Sequence, residues 1–81
     1  MKIKVRFFAS QHEATGQRDY ELELPQQASA QQAFERLCTV FPKLRGAARS
    51  VAFAVNQVQA DGSAALHEGD ELALLPPMAG G

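Results

Sequence analysis

Residues 18–41, RDYELELPQQASAQQAFERLCTVF, change from a strand pattern to a helix pattern within one short stretch. Apolar and acidic residues alternate over Arg18–Leu24, which predicts a strand with one covered face. Pro25 ends this strand because proline has no N–H for a sheet ladder, and Ser29 and Gln32 then match a capping box. The apolar residues that follow recur at steps of three and four and predict the main helix: Ala30, Ala33, Phe34, Leu37, Cys38 and Phe41.

The segment before this stretch predicts another strand and a short helix. Apolar and basic residues alternate over Lys2–Ala9, which is the pattern of a strand. Ser10 and Glu13 match a second capping box. Gly16 is a natural helix stop, so we expect a short helix over Gln11–Thr15.

The segment after the main helix predicts three more strands. Lys43–Ser50 has the composition of an irregular connection, with room for a helical turn. Val51–Val55 alternates as a strand, and Asn56-Gln57 predicts a tight turn into a short strand near Val58, because asparagine tolerates positive φ. Asp70–Leu75 predicts the last strand, with its leucines and alanine divided between two faces.

Residues 1–75 are therefore predicted to form one α+β domain: a mixed sheet of about five strands with one main helix packed on one face. The other face of the sheet stays open. Strand alternation places Phe8 and Leu75 on the open face, whereas a slip after Arg6 would place Phe7 there instead. In either case an apolar patch is left for a protein partner to cover.

Composition and charge narrow the classes of function. The chain has 81 residues, of which 46% are apolar, so it forms one small domain with little room for a deep catalytic pocket. Its formal charge of -1 lacks the cationic excess of a nucleic-acid binder, and no apolar run has the length of a membrane span. The single cysteine, Cys38, excludes an internal disulfide and a CxxC site. A cytoplasmic protein fits this composition best.

The chain ends in PPMAGG, residues 76–81, which is not an ordinary strand or helix sequence. Pro76 and Pro77 prevent continued pairing and favour an extended geometry. Six extended residues span roughly 20 Å, enough to enter a neighbouring protein's cleft. Gly80 and Gly81 have no Cβ, so their backbone passes a narrow channel, and the terminal carboxylate must be activated before it reacts.

Other side chains with chemical potential have structural explanations. Cys38 could carry a persulfide, but its position on the apolar helix face favours a buried structural thiol. His12 and His67 have no third ligand at metal spacing, so we expect both to face solvent and predict no metal site. Ser10 and Ser29 are interpreted as helix caps and not as nucleophiles.

Four segments, in this order and over the whole length of the chain, resemble the small subunits of molybdopterin synthase, a family of ubiquitin-like β-grasp sulfur carriers. These segments are VRFFAS (Val5–Ser10), AFAVNQ (Ala52–Gln57), EGDELALLPP (Glu68–Pro77) and the closing Gly80-Gly81. The resemblance implies a β-grasp fold with parallel first and last strands and a flexible Gly-Gly tail.

The resemblance also implies a function for Gly81. A ubiquitin-activating-like adenylyltransferase would consume ATP to adenylate Gly81, and a sulfur donor would convert the adenylate to a thiocarboxylate. The large synthase subunit would then bind the tail in a heterotetramer of two small and two large subunits, where the sulfur passes to a pyranopterin precursor. This chain would bind no cofactor and act as a non-catalytic subunit. Phe7 or Phe8 and Leu75 would form the partner interface, and the inserted tail would comprise Pro76, Pro77, Met78, Ala79 and Gly80.

Three alternatives remain open from the sequence. Sulfur carriers for the thiazole of thiamine share the fold and the Gly-Gly end, but they are usually shorter and lack the double proline. A ubiquitin-like protein modifier would instead join Gly81 to a lysine through an isopeptide bond. A plain interaction domain would keep its activity after deletion of Gly80-Gly81.

Overall fold

The computed structural model describes residues 1–47 and 51–75. Along the chain, the described elements are β1 (Lys2–Phe7), α1 (Ala9–Thr15), β2 (Asp19–Glu23), α2 (Ala30–Val40), a 3₁₀ helix (Pro42–Ala47), β3 (Ala52–Val55), β4 (Val58–Ala60) and β5 (Glu71–Leu75). Each predicted strand is present, with ends shifted by one or two residues. The 3₁₀ helix occupies the first part of the predicted irregular connection, whose residues 48–50 lie outside the described residues.

The described strands form one mixed sheet in the order β2-β1-β5-β3-β4. The first and last strands are parallel neighbours, with Lys4 registered on Glu71 and Phe7 on Leu74. The remaining neighbouring strands are antiparallel. This arrangement confirms the predicted α+β fold and places β5, the strand that leads into the tail, at the centre of the sheet.

Helix α2 begins at the predicted capping box and covers one face of the sheet. The Ser29 hydroxyl accepts a hydrogen bond from the backbone N–H of Gln32 at 3.2 Å, and the Gln32 side chain accepts one from the backbone N–H of Ser29 at 2.8 Å. On the sheet side, the ring of Phe34 meets that of Phe53 edge-on, with centroids 6.1 Å apart. The apolar side of the helix is buried as predicted: Ala30, Ala33, Phe34, Leu37 and Cys38.

Helix α1 differs from its prediction at its start. The helix begins at Ala9, its N-cap is Phe8, and no side chain caps it, so the predicted Ser10 cap is wrong. The reason is upstream: Phe7 must complete the buried side of β1, so the chain stays extended through Phe8 and turns at Ala9, whose φ is 50°. Gly16 ends the helix as predicted, with a φ of 70° and its N–H donating to the His12 carbonyl.

The turn between β3 and β4 has the predicted two residues. Asn56 and Gln57 have φ values of 51° and 70°, the pair of positive angles that a tight hairpin turn requires. Val55 is registered on Val58 across this turn. The position and register of the short edge strand β4 are therefore determined by the hairpin turn at Asn56 and Gln57 rather than by its own three residues.

Candidate functional site

The base of the tail is the central strand of the sheet. Strand β5 is bonded to β1 on one side and to β3 on the other, and Leu72 and Leu74 are fully buried. A segment attached to Leu75 therefore leaves from a rigid position. The predicted tail itself lies outside the described residues: Pro76, Pro77, Met78, Ala79, Gly80 and Gly81.

Apolar residues cluster on the open face around the end of β5. Leu75 is registered on Ala52, and Ala73 on Ala54. Phe8 follows the last registered pair of β1 and β5 and is 41% exposed. We call this surface the tail-side patch, and define it by Phe8, Ala52, Ala54, Ala73 and Leu75. It surrounds the point at which the chain leaves the sheet.

The structure decides between the two phenylalanines that sequence reasoning left open. Phe7 is 3% exposed and belongs to the core, where its ring meets that of Phe41 edge-on at 5.8 Å. The predicted interface role of Phe7 is therefore wrong, because strand alternation continues without a slip after Arg6. Phe8 takes the outward position, and its extended φ and ψ of -124° and 154° continue the strand geometry by one residue.

Arg6 links the tail-side patch to its charged border. Its Nε lies 3.3 Å from Asp19 Oδ1, and its Nη1 lies 3.8 Å from Glu71 Oε2. Its Cζ lies 6.0 Å from the centroid of the Phe8 ring, which is the outer limit of a cation–π contact. Arg6 thus bridges β2 and β5 over β1. Sequence reasoning missed this role, although residues two apart on a strand share a face.

The far end of the sheet, where β5 begins, is held by a polar corner. The Asn56 side chain donates to Asp70 Oδ1 at 3.0 Å and accepts from the backbone N–H of Glu71 at 3.0 Å. The backbone N–H of His67 donates to Asp70 Oδ2 at 2.8 Å. These hydrogen bonds, led by the one from Asn56, hold the pKa of the Asp70 carboxyl below its ordinary value, although partial burial opposes them. Asn56 therefore fastens the hairpin turn to the central strand.

Cys38 is a structural thiol of helix α2. It is 4% exposed within the core, as predicted. Burial raises the pKa of the Cys38 thiol, and the nearby positive charge of Arg45 only partly opposes this effect. Because the thiolate is the nucleophilic form of cysteine, this environment does not favour a persulfide carrier at Cys38.

Neither histidine takes part in a metal site within residues 1–47 and 51–75, where no group of three metal-ligating side chains comes together. His67 is exposed as predicted, with Nδ1 3.7 Å from Asp70 Oδ2. His12 is half-buried on α1, so it faces solvent less than predicted. In the same described part of the chain, no helix has both the length and the apolar character needed to cross a membrane.

Comparison with known proteins places this geometry in a family. Residues 5–81 match the family model described as the ThiS family. The chain belongs to the ThiS family. The molybdopterin synthase sulfur carrier subunit of Arabidopsis thaliana is similar to this ThiS-family chain, with 36% identity over 81 residues that cover all of this chain and 84% of that protein. A protein of the same name from Chlamydomonas reinhardtii is 34% identical over the full length of both chains.

Solved structures confirm the ubiquitin-like β-grasp fold of this ThiS-family chain. SAMP1 of Haloferax volcanii, a small archaeal modifier protein, aligns over 100% of both chains with a TM-score of 0.88 and 26% identity. Subunit 1 in the complex of subunits 1 and 2 of the molybdopterin-converting factor from Helicobacter pylori 26695 has the same fold, with a TM-score of 0.69 and 23% identity over 100% of both chains.

Proposed function

We propose that this ThiS-family chain is the sulfur carrier subunit of a molybdopterin synthase. The observation that carries the proposal is the identity of 36% and 34% with sulfur carrier subunits of that enzyme, in alignments that span this whole chain. The rigid central strand supports it, because a carrier must present its terminus from a fixed base.

The proposed chemistry takes place at Gly81. Its carboxylate attacks the α-phosphorus of ATP in an adenylyltransferase, pyrophosphate leaves, and a glycyl adenylate forms. A sulfur donor then delivers sulfur at the oxidation level of hydrosulfide to the carbonyl carbon, and AMP leaves with the electron pair of the broken C–O bond. The product is a thiocarboxylate, whose sulfur is a nucleophile. The adenylate is needed because a carboxylate anion resists nucleophiles.

The proposed acceptor is a pyranopterin precursor held by the large synthase subunit. The thiocarboxylate sulfur bonds to a carbon of the precursor, and an oxygen substituent of that carbon leaves with the electron pair of the broken C–O bond. Water then cleaves the acyl C–S bond of the resulting thioester, which leaves the sulfur on the precursor and restores the Gly81 carboxylate for another cycle. Phe8 and Leu75 would contact the large subunit, since they are the members of the tail-side patch with large apolar side chains, Phe8 being exposed and Leu75 half-buried. We place the complex in the cytoplasm, with two small and two large subunits. In this scheme the chain binds no cofactor, and its partner consumes the ATP.

Reconstituted molybdopterin synthesis tests this function. The purified chain, adenylyltransferase, sulfur donor, ATP, precursor and large subunit should together yield molybdopterin. A matched variant with one alanine added after Gly81 should fold identically and give no product, because its glycine carbonyl becomes a mid-chain amide. Full activity of the extended variant would contradict the proposal.

Protein modification is a second candidate function, favoured by the likeness to SAMP1 of Haloferax volcanii. In that function the activated Gly81 would form an isopeptide bond with a lysine of another protein. Mass spectrometry of cell extracts distinguishes the two: glycine remnants on target lysines indicate modification, and a thiocarboxylate on the free chain indicates sulfur transfer. The thiamine pathway would instead show binding to a thiazole-forming enzyme and none to the large synthase subunit.

A further inference from the structure

A cleft of about 240 Å³ opens at the tail-side end of the sheet, beside the tail-side patch. It lies where β1 ends and α1 begins, and Arg18, the residue before β2, lines its other side. Two arginines and a histidine line it together with the Phe8 ring, and the full lining is Arg6, Phe7, Phe8, Ala9, His12 and Arg18. The basic residues Arg6, His12 and Arg18 therefore line one concave site.

The positive charge of this cleft is balanced only in part within the described residues, since Arg6 is ion-paired with Asp19 and Glu71. On the open face, the cations of β1 are each registered opposite a carboxylate of β2: Lys2 with Glu23, Lys4 with Glu21 and Arg6 with Asp19. The pattern ends at Arg18, which precedes β2 and has no ion pair within residues 1–47 and 51–75. His12 likewise has no acidic partner there. Charges of one sign in a concave, low-dielectric site focus the potential and attract an opposite charge.

The cleft is continuous with the proposed docking surface. Phe8 belongs both to the cleft and to the tail-side patch. Strand β1, which forms one wall of the cleft, is the direct neighbour of β5, and neighbouring strands lie about 5 Å apart. A protein that receives the tail and covers the patch would therefore also reach the mouth of the cleft.

We propose that this cleft accepts a carboxylate side chain of the protein that receives the tail. The guanidinium of Arg18 offers the planar pair of donors that a carboxylate matches, whereas Arg6 is already held by Asp19 and Glu71. Apolar contacts on the patch are non-directional. One charged contact beside the patch fixes how the partner is rotated around the tail. This inference rests on the proposed function, which supplies the partner.

Binding kinetics of the full chain with the large subunit of molybdopterin synthase test the cleft. Arg18→Glu should weaken the affinity about tenfold or more, because it places like charges together at a desolvated contact. The matched control is Arg36→Glu, an equal charge change on the exposed side of α2, which should weaken it less than about twofold. The difference between the variants should shrink in high salt. Both variants should keep the wild-type unfolding temperature.

The outcomes separate this inference from the proposed function. If wild type binds the large subunit and Arg18→Glu binds as well as Arg36→Glu, the cleft assignment is overturned while the proposed function stands. If wild type does not bind the large subunit, both are overturned. Tight binding of inorganic phosphate to the isolated chain, seen as NMR shifts at Arg18 and His12, would overturn the assignment in favour of a free anion. Rescue of Arg18→Glu by an acidic-to-arginine change in the partner would support it.

Discussion

The two ends of the sheet differ in how completely their side chains are satisfied within the chain. At the far end, Asn56 and Asp70 bond to each other and to the backbone, and the lysines of β1 are registered opposite carboxylates. At the tail-side end, Phe8 is 41% exposed, Leu75 is half-buried, and Arg18 has no ion pair among the described residues. The polar side chains of Asn56 and Asp70 at the far end are thus satisfied within the chain, whereas the tail-side end leaves the ring of Phe8 and the guanidinium of Arg18 for another protein to contact.

The largest expected effect is a difference in the free energy of unfolding between alanine variants of two neighbouring phenylalanines at the tail-side end. Phe7→Ala should lower the free energy of unfolding by about 3–5 kcal/mol, because it empties a buried site. Phe8→Ala should change stability by less than about 1 kcal/mol, since much of its ring already faces solvent. Denaturant unfolding measures both. Equal losses of stability would break the comparison, because Phe8 would then be a core residue.

A charge in the tail-side patch should act on binding and not on folding. Leu75→Asp should weaken binding to the large subunit about 30-fold, the size expected when a central apolar contact is replaced by a charge. Val58→Asp is the matched control, since it places the same charge on the exposed edge strand β4. Calorimetric titration of both variants checks this. Equal weakening by both would show that the tail-side patch is not the contact surface.

A substitution at the far end should lower the folding stability and leave the affinity for the partner unchanged. Asn56→Gly keeps the positive φ of the turn but removes the side chain that holds Asp70 and the N–H of Glu71, so the free energy of unfolding should fall by about 1–3 kcal/mol. Gln57→Gly is the matched control, because it has the same kind of backbone angle and is exposed. Its effect should be close to zero or slightly stabilising. A change in partner affinity for Asn56→Gly would contradict the separation of the two ends.

The smallest expected effect is on acid stability. The pKa of Asp70 is lowered in the folded chain, chiefly by the hydrogen bond from Asn56. Its contribution to stability is therefore complete above the ordinary value of 3.8 and is lost as the pH falls through the lower folded value. Asn56→Gly should lose less stability than wild type between neutral pH and this acid range. Asp61, whose pKa is also lowered, keeps its Ser63 partner in both proteins. Parallel stability curves for the two proteins would refute the role of Asn56.

Local rules predicted most of the fold. The alternation of apolar and polar residues predicted the strands. The Ser29–Gln32 pair predicted the start of α2, and Asn56-Gln57 predicted the hairpin turn. In these places the signal lies within a few residues, and tertiary contacts agree with it. The family resemblance added the parallel pairing of the first and last strands, and the structure confirms that pairing.

The remaining features depend on contacts between distant residues. The Ser10 cap failed because burial of Phe7 decided where the chain turns, which outweighed a local capping motif. The hydrogen bond from Asn56 to Asp70 joins residues 14 positions apart. The ion pair between Arg6 and Glu71 joins two different strands. The absence of a carboxylate opposite Arg18 can be recognised only when the register of the strands is known.

The most direct test of the account is where sulfur is found after the chain is incubated with ATP, adenylyltransferase and sulfur donor. Tandem mass spectrometry of the proteolytic peptides assigns the added sulfur to a residue. We predict that one oxygen of Gly81 is replaced by sulfur and that the buried Cys38 is unchanged. Sulfur on Cys38, or an unmodified Gly81 in the presence of all components, would contradict it.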